Sequence, residues 1–194
     1  MKRILCFGDS NTWGYDSRSW FGDQYPSDIR WTGRLKQNGY EAENFGQNGM
    51  CVPEGASLDW VLDLAETNLP KDAVTVMLGS NDLLRMDGAE AIGARMQNLI
   101  RGLSEYMPSE RILLIAPPVL KPGTWVSDPK AILESGHLAE VYRGIAEQEQ
   151  TAFADASAWE IEVLSDGVHF SPAGHARFAA KLAEILDAVT GVDK

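Results

Sequence analysis

Three residues near opposite ends of the 194-residue sequence have the types and spacing that nucleophilic catalysis requires. Ser10 follows Gly8 and Asp9 where an apolar run ends, and a serine hydroxyl is a weak nucleophile until a base removes its proton. Asp166 precedes His169 by three residues, which lets the carboxylate hold Nδ1–H while Nε2 faces a hydroxyl. The sequence therefore predicts a triad of Ser10, His169 and Asp166 for acyl transfer.

Acyl transfer also needs hydrogen-bond donors where negative charge develops on the carbonyl oxygen. We predict that the backbone N–H groups of Ser10 and Gly49 and the side-chain amide of Asn81 supply them. Glycine lets the main chain approach a ligand closely, and an asparagine amide donates without adding charge. Trp13 and Asp9 stand beside the serine and are the predicted substrate-binding residues. For Asp9 we also expect bonds to nearby backbone N–H groups, and no part in the chemistry itself.

The segments that must position these residues alternate between strand and helix patterns. The predicted strands are 3–7, 40–45, 73–78, 111–116 and 151–154, and the predicted helices are 26–37, 58–69, 89–106, 134–150 and 171–189. This alternation indicates an α/β fold, with a parallel sheet covered by helices on both faces. Ligands of such sheets bind beyond the carboxyl ends of the strands, where Ser10, Gly49 and Asn81 all fall.

Two long segments are predicted to be loops: 8–26, which is rich in aromatic residues and shows no clean period, and 119–133, which holds Pro122, Gly123, Trp125 and Pro129. The first is either a flap that packs on its own domain or a wall of the substrate site. Its direct junction with Ser10 favours the wall, because binding residues are concentrated on loops held by a rigid scaffold.

Composition narrows the class of protein. The length fits one domain, 1–194, and the formal net charge of -11 argues against nucleic acid or an anionic membrane as a partner. Cys6 and Cys51 do not form the pattern of a disulfide framework or a metal cluster. No run has the length of a signal-peptide core or a transmembrane helix, so a cytoplasmic location is expected.

Other candidate groups are given structural roles. His137 lies near the start of a predicted helix and His175 in the last one, and both are expected to be surface or packing residues, not the base. Asp82 could in principle join Asp9, Asp166 and His169 as metal ligands, but the spacing matches no recognised metal signature. We therefore predict no metal site.

Four blocks, taken together, resemble the motif blocks of the GDSL, or SGNH, hydrolase family. They are residues 8–10 (Gly-Asp-Ser), 44–49 (Asn-Phe-Gly-Gln-Asn-Gly), 79–82 (Gly-Ser-Asn-Asp) and 166–169 (Asp-Gly-Val-His), in that order along nearly the whole chain. The resemblance implies a flavodoxin-like three-layer α/β/α sandwich that hydrolyses carboxylic esters, its small-molecule substrates, without a cofactor. The family's serine, glycine, asparagine and histidine fall on Ser10, Gly49, Asn81 and His169.

A narrower likeness is carried by residues 3–10, 12–14, 30–33 and 77–79, which resemble the bacterial arylesterase and acyltransferase branch. That branch favours short acyl groups and forms homo-oligomers. The chain departs from it at Asn11, where leucine or isoleucine is usual, and in loops 15–27 and 119–133. We expect hydrolysis of short-chain, acetyl-like esters through an acyl-enzyme on Ser10. The alternatives are acyl transfer to alcohols, deacetylation of carbohydrates and, more remotely, a non-catalytic flavodoxin-like binding module.

Overall fold

Five parallel strands run through the centre of the structure, a computed structural model that describes residues 1–191. They are β1 (Lys2–Gly8), β2 (Tyr40–Gly46), β3 (Ala73–Met77), β4 (Ile112–Ala116) and β5 (Ala152–Asp155). Their order across the sheet is β2-β1-β3-β4-β5, and every neighbouring pair is parallel. This is the flavodoxin-like order, so the predicted fold class is confirmed. The predicted domain 1–194 also includes residues 192–194, which lie outside the described range.

Helices cover both faces of this sheet. They are α1 (Ser10–Trp13), α2 (Trp31–Arg34), α3 (Ala56–Asn68), α4 (Ser80–Leu84), α5 (Ala89–Leu103), α6 (Pro129–Glu149) and α7 (Pro172–Val189). Short 3₁₀ turns occupy Leu35–Asn38, Ser109–Arg111 and Ala156–Trp159. Within residues 1–191, no helix is both long and apolar enough to cross a bilayer.

The alternation of side chains along β1 explains the three layers. Leu5 and Phe7 pack in one apolar cluster with α3, α5 and α6, while Ile4 and Cys6 pack in a second with α2 and α7. Successive side chains of a strand point to opposite faces, so an uninterrupted apolar run is what a doubly covered strand requires. β3 and β4 are likewise buried along their whole length.

Two glycines let α1 lie across the carboxyl ends of the sheet. A Cβ at Gly46 would stand 2.2 Å from the Trp13 nitrogen, and one at Gly8 would stand 2.0 Å from the Thr12 hydroxyl oxygen. Any side chain at these positions would push α1 away from the ends of β1 and β2. The close approach places Ser10 just beyond the carboxyl end of β1.

The helix predicted over 26–37 is wrong in its first half. Arg30 has an extended backbone, so α2 begins only at Trp31 and passes into the 3₁₀ turn from Leu35 to Asn38. Residues 26–30 instead form a turn that brings the Ser27 carbonyl against Gly33, where a Cβ would stand 1.9 Å from that oxygen. The missing side chain of Gly33 makes this contact possible.

The predicted boundaries of two later helices are also corrected. α6 begins at Pro129 and not at residue 134, because Asp128 caps it by accepting a hydrogen bond from the Lys130 N–H at 2.8 Å. The preceding loop therefore ends at Asp128. Proline at the first position of a helix behind an aspartate cap is a recognised start signal, so the sequence contained this information. α5 ends at Leu103, three residues before the predicted end at 106, and the chain continues in turns.

Candidate active site

Ser10 is the first residue of α1, which follows β1 after a single connecting residue, so the serine begins a helix and does not lie on the loop predicted for 8–26. Asp9 caps this helix, and its Oδ1 accepts a hydrogen bond from the Asn11 N–H at 2.9 Å. Gly14 ends the helix in a left-handed conformation. The serine is thus held on a short, capped turn and is 5% exposed.

The three predicted triad residues are brought together at this point. Ser10 Oγ lies 2.9 Å from His169 Nε2, and His169 Nδ1 lies 2.9 Å from Asp166 Oδ2. The second carboxylate oxygen of Asp166 accepts hydrogen bonds from the Val168 N–H at 2.8 Å and the His169 N–H at 2.9 Å. Gly167 has a φ of 86°, which lets the turn curl around the carboxylate. The imidazole is therefore held between one acceptor and one hydroxyl.

The Asp166 carboxylate is stabilised in its charged form. Burial by itself would raise its pKa, but hydrogen bonds from the side chains of His169 and Ser17 and from the backbone N–H groups of His169 and Val168 outweigh burial and lower the pKa well below its usual value. Asp166 is consequently an anion throughout the neutral range. It can hold Nδ1–H and stabilise an imidazolium that forms next to it.

The predicted oxyanion donors face the same space. Asn81 belongs to the first turn of α4, and its Nδ2 donates to the Met50 carbonyl at 3.0 Å, which leaves the second N–H of the amide for a ligand. Gly49 has a φ of 74° in the turn after β2. The Asp82 carboxylate holds the segment that follows this turn, because it accepts a hydrogen bond from the Val52 N–H at 3.0 Å. The Arg95 guanidinium donates to the same carboxylate at 2.8 Å.

A cavity of about 330 Å³ unites these groups. Its lining residues are Ser10, Tyr15, Asn48, Gly49, Asn81, Trp125 and His169. The rings of Tyr15 and Trp125 pack against the imidazole of His169, and their centroids lie 4.8 and 4.7 Å from the imidazole centroid. Tyr15 belongs to the predicted loop 8–26 and Trp125 to the predicted loop 119–133, and these loops were the only sequence signal for the two residues. The cavity is within the size range of small-molecule sites.

The two predicted substrate-binding residues lie outside this lining. Asp9 is 1% exposed and sits beneath the serine as the cap of α1, and burial raises its pKa to about 6. Direct contact with substrate does not fit this position, so the structural role expected for Asp9 replaces the binding role. Trp13 packs against Tyr15, with ring centroids 6.4 Å apart. It therefore supports a residue of the cavity wall without lining the cavity itself.

A comparison with models of known protein families identifies the family of this chain. Residues 6–177 match the model of the GDSL-like lipase/acylhydrolase family. The chain belongs to this family. The match runs from β1 into α7 and includes all the triad and oxyanion residues described above. It confirms the resemblance predicted from the four sequence blocks. A search of curated protein sequences gave no significant match.

Solved structures agree with the GDSL assignment. Est24, a carbohydrate acetylesterase from Sinorhizobium meliloti, is 26% identical with a TM-score of 0.82, covering 97% of this chain and 99% of its own. The Mycobacterium smegmatis aryl esterase is 26% identical with a TM-score of 0.82, covering 97% and 100%. A putative arylesterase from Agrobacterium tumefaciens is 27% identical with a TM-score of 0.84, covering 97% and 100%. The prediction of a carboxylic-ester hydrolase is confirmed.

Among residues 1–191, no cluster of three or more His, Cys, Asp or Glu side chains has the arrangement of a metal site. A larger surface cavity of about 680 Å³ lies between α5 and α6, and none of the triad or oxyanion residues lines it. Ser10, Gly49 and Asn81 lie just beyond the carboxyl ends of β1, β2 and β3, and Asp166 and His169 lie in the segment between β5 and α7.

Proposed function

We propose that this esterase hydrolyses short-chain, acetyl-like esters through an acyl-enzyme on Ser10. The observation that carries the proposal is the continuous series of contacts from Ser10 Oγ to His169 Nε2 and from His169 Nδ1 to Asp166 Oδ2, each 2.9 Å long. These distances are within the hydrogen-bonding range required of a nucleophile and its base.

In the first half of the reaction, Ser10 Oγ attacks the ester carbonyl carbon as His169 Nε2 takes its proton. Negative charge then develops on the carbonyl oxygen, and the N–H groups of Ser10, Gly49 and Asn81 donate to it. Asp166 stabilises the imidazolium through Nδ1–H. The imidazolium returns the proton to the leaving alcohol as the C–O bond breaks, which leaves the acyl group on Ser10.

In the second half, His169 removes a proton from water, and the resulting hydroxide attacks the acyl carbonyl. The tetrahedral intermediate collapses as the imidazolium reprotonates Ser10 Oγ, and the free acid departs. The order of proton transfers is the reverse of acylation. Every step uses the same base, so a single residue governs both halves.

The size and lining of the cavity support a small acyl group. A volume of about 330 Å³ is at the low end for small-molecule sites, and part of it must accommodate the alcohol side of the ester. The aromatic side chains of Tyr15 and Trp125 offer flat apolar surfaces for that side. The solved relatives named arylesterase or carbohydrate acetylesterase are consistent with such substrates.

The test compares hydrolysis of aryl acetates by the wild type and by Ser10→Ala. Removing the nucleophile is expected to lower kcat by about 10⁶-fold, the size seen when a catalytic serine is lost, while circular dichroism reports an intact fold. An organophosphonate should label Ser10 stoichiometrically, and failure to label would favour the non-catalytic binding module. Turnover by Ser10→Ala equal to that of the wild type would refute the assignment.

Acyl transfer to alcohols and deacetylation of carbohydrates are the second candidate activities. The exposed ring of Trp125 favours a carbohydrate as the alcohol part of the ester or as the acceptor, because an aromatic face stacks on a sugar ring as readily as on an aryl group. A panel of esters that varies the acyl chain and the alcohol separately distinguishes these activities. Product analysis in water with added alcohol decides for or against transfer: formation of free acid alone, at all alcohol concentrations, excludes it.

Self-association and a cytoplasmic location belong to the same proposal. Trp20 and Phe21 are 97% and 92% exposed on the loop that follows Tyr15, and large exposed aromatic pairs are typical of surfaces that bind another protein. Light scattering at several protein concentrations tests self-association, and a mass equal to one chain throughout would contradict it. Fractionation of the source cells tests the location.

A further inference from the structure

Asn11, the residue directly after the nucleophile, is bonded to the backbone on both sides of His169. Its Nδ2 donates to the Val168 carbonyl at 3.1 Å, and its Oδ1 accepts from the Phe170 N–H at 2.9 Å. One partner is a carbonyl and the other an N–H, so only one orientation of the amide satisfies both. With 4% of Asn11 exposed, water cannot readily replace either bond.

The backbone of Asn11 is itself held in place. Its N–H donates to Asp9 Oδ1 at 2.9 Å, and its carbonyl accepts from Trp31 Nε1 at 3.0 Å. Trp31 is 1% exposed in the apolar cluster on the α7 side of the sheet. The amide of Asn11 therefore projects from a fixed point and transmits the position of α1 to the segment 168–170.

Other bonds hold the histidine loop in different ways. The Leu164 N–H binds the His169 carbonyl at 2.7 Å, and Asp166 binds both the ring and the backbone of His169, so these bonds set the internal shape of the loop. The Trp125 N–H, which donates to the Asp166 carbonyl at 3.1 Å, and the Ser17 side chain hold the loop to segments outside α1. Among the described residues, the Asn11 amide therefore ties residues 168–170 to α1 in addition to the Ser10–His169 contact itself. Asn11 joins two segments that are 157 to 159 residues apart in sequence.

We propose that Asn11 is a positioning residue that sets the distance and angle between Ser10 and His169. The inference rests on the function proposed above. A leucine or isoleucine at this position fills similar space, but it has no group for the Val168 carbonyl or the Phe170 N–H. The link between α1 and the backbone on both sides of His169 therefore depends on the Asn11 amide. A misplacement of about 1 Å between reacting groups is enough to lower a rate by about a hundredfold.

The experiment replaces the amide in two ways. Asn11→Leu keeps the approximate volume and removes both bonds, while Asn11→Asp keeps the acceptor for the Phe170 N–H and sets an oxygen against the Val168 carbonyl. Each is expected to lower kcat for an aryl acetate by about ten- to a hundredfold, with KM changed by less than about threefold. A loss confined to kcat indicates misaligned reacting groups and not a damaged binding site.

Tyr40→Phe is the matched control for loss of a buried hydrogen bond. The Tyr40 hydroxyl donates to Asp187 Oδ1 at 2.6 Å at the amino end of β2, and the cavity lies beyond the opposite, carboxyl ends of the strands. This variant should lose thermal stability and keep the wild-type kcat. Comparison of Tm with kcat across the three variants then separates destabilisation from positioning.

Imidazole NMR supplies a readout that does not depend on turnover. The chain has three histidines, so ¹⁵N-labelled imidazole signals can be assigned with His169→Gln. Asn11→Leu and Asn11→Asp should shift or broaden the Nδ1–H signal of His169, because its geometry relative to Ser10 changes. Tyr40→Phe should leave that signal where it is in the wild type.

The outcomes decide the proposal. It is overturned if kcat of the folded Asn11 variants stays within about twofold of the wild type, or if Tm falls while the His169 signal and kcat are unchanged. If Asn11→Leu does not fold, Asn11→Asp decides alone by the same criteria. Absence of both hydrolysis and Ser10 labelling in the wild type would refute the proposed function instead, and the imidazole signal would still test the positioning.

Discussion

The loop around His169 and the first turns of α7 each contain a histidine that is almost completely buried, and the two differ in what their nitrogens contact. His169 is 1% exposed with a carboxylate on Nδ1 and a hydroxyl on Nε2. His175 is 0% exposed, its Nδ1 receives the Trp31 N–H at a long 3.4 Å, and its Nε2 has no partner among residues 1–191. Burial is shared, and only the polar partners distinguish a base from a packing residue.

The aromatic neighbours repeat this contrast. Tyr15 and Trp125 contact His169 from the side of the cavity, whereas Tyr25 and Phe170 contact His175 edge-on in the interior, each with ring centroids 5.4 Å away. Burial first, and then the positive charges of Arg34 and Arg30, lower the pKa of His175 to about 3. His175 is therefore neutral at neutral pH and is a packing residue, which is one of the two roles expected for it from the sequence.

Removal of each histidine in turn should give the largest difference between the two sites. His169→Gln should lower kcat by about 10⁴-fold or more, because both proton transfers lose their carrier. His175→Leu, which fills similar space in the same interior, should keep a kcat close to that of the wild type per folded molecule. Steady-state hydrolysis of an aryl acetate, normalised to the amount of folded protein determined by circular dichroism, measures both.

Equal losses in the two variants would contradict the comparison. His175 would then act on the site through Phe170, which adjoins both histidines. The dependence of activity on pH provides a control, since a variant that merely packs poorly retains the wild-type profile at a lower amplitude. A variant that has lost its base also changes the shape of the profile.

Acid should destabilise the protein through His175. In the unfolded chain this histidine binds a proton near its ordinary pKa of 6.5, while in the folded chain it does so only near pH 3. Between these values the unfolded state binds more protons, so the stability is complete above pH 6.5 and falls as the pH is lowered. The expected loss is about 1.4 kcal/mol per pH unit within that window.

Urea unfolding of the wild type and His175→Leu between pH 7 and 4 measures this effect as a difference. The difference is needed because the buried Asp9, whose pKa is raised to about 6, acts in the opposite direction: its protonation favours the folded state as the pH falls. Asp9 is present in both proteins, so its contribution cancels. Parallel curves for the two proteins would show that His175 is protonated as readily in the folded state as in the unfolded one.

The sequence was sufficient for the parts of the molecule whose patterns are local. The apolar runs predicted the five strands, and their carboxyl ends predicted that Ser10, Gly49 and Asn81 would meet at one edge. The three-residue spacing of Asp166 and His169 predicted the bond between them. Each inference depended on residues that are neighbours in sequence or on a rule that governs all parallel sheets.

What the sequence did not reveal depends on contacts between distant loops. Tyr15 and Trp125 meet with ring centroids 6.1 Å apart, yet they belong to loops without a period, and nothing local brings them together. Asn11 was unexplained because both of its side-chain partners lie more than 150 residues away. Trp13 was the nearer aromatic residue to the serine in sequence, but the turn at Gly14 places Tyr15 in the cavity instead.

The smallest expected effect concerns the aromatic side of His169. Trp125 is 51% exposed in the cavity wall, and the backbone N–H of Trp125 is held by the Asp166 carbonyl at 3.1 Å. Trp125→Ala removes the ring but leaves that backbone bond in place. An aromatic contact contributes about 0.5–1.5 kcal/mol beyond its buried area, so KM for aryl esters should rise by about two- to tenfold.

Trp60→Ala is the matched control, because Trp60 is 43% exposed on α3 and lies outside the cavity. The change in KM should be larger for aryl acetates than for ethyl acetate, since a small alkyl alcohol has no ring to stack against Trp125. A fall in kcat with unchanged KM would instead mean that Trp125 acts on the imidazole it contacts edge-on. That result would move Trp125 from the recognition of the alcohol group to the support of the base.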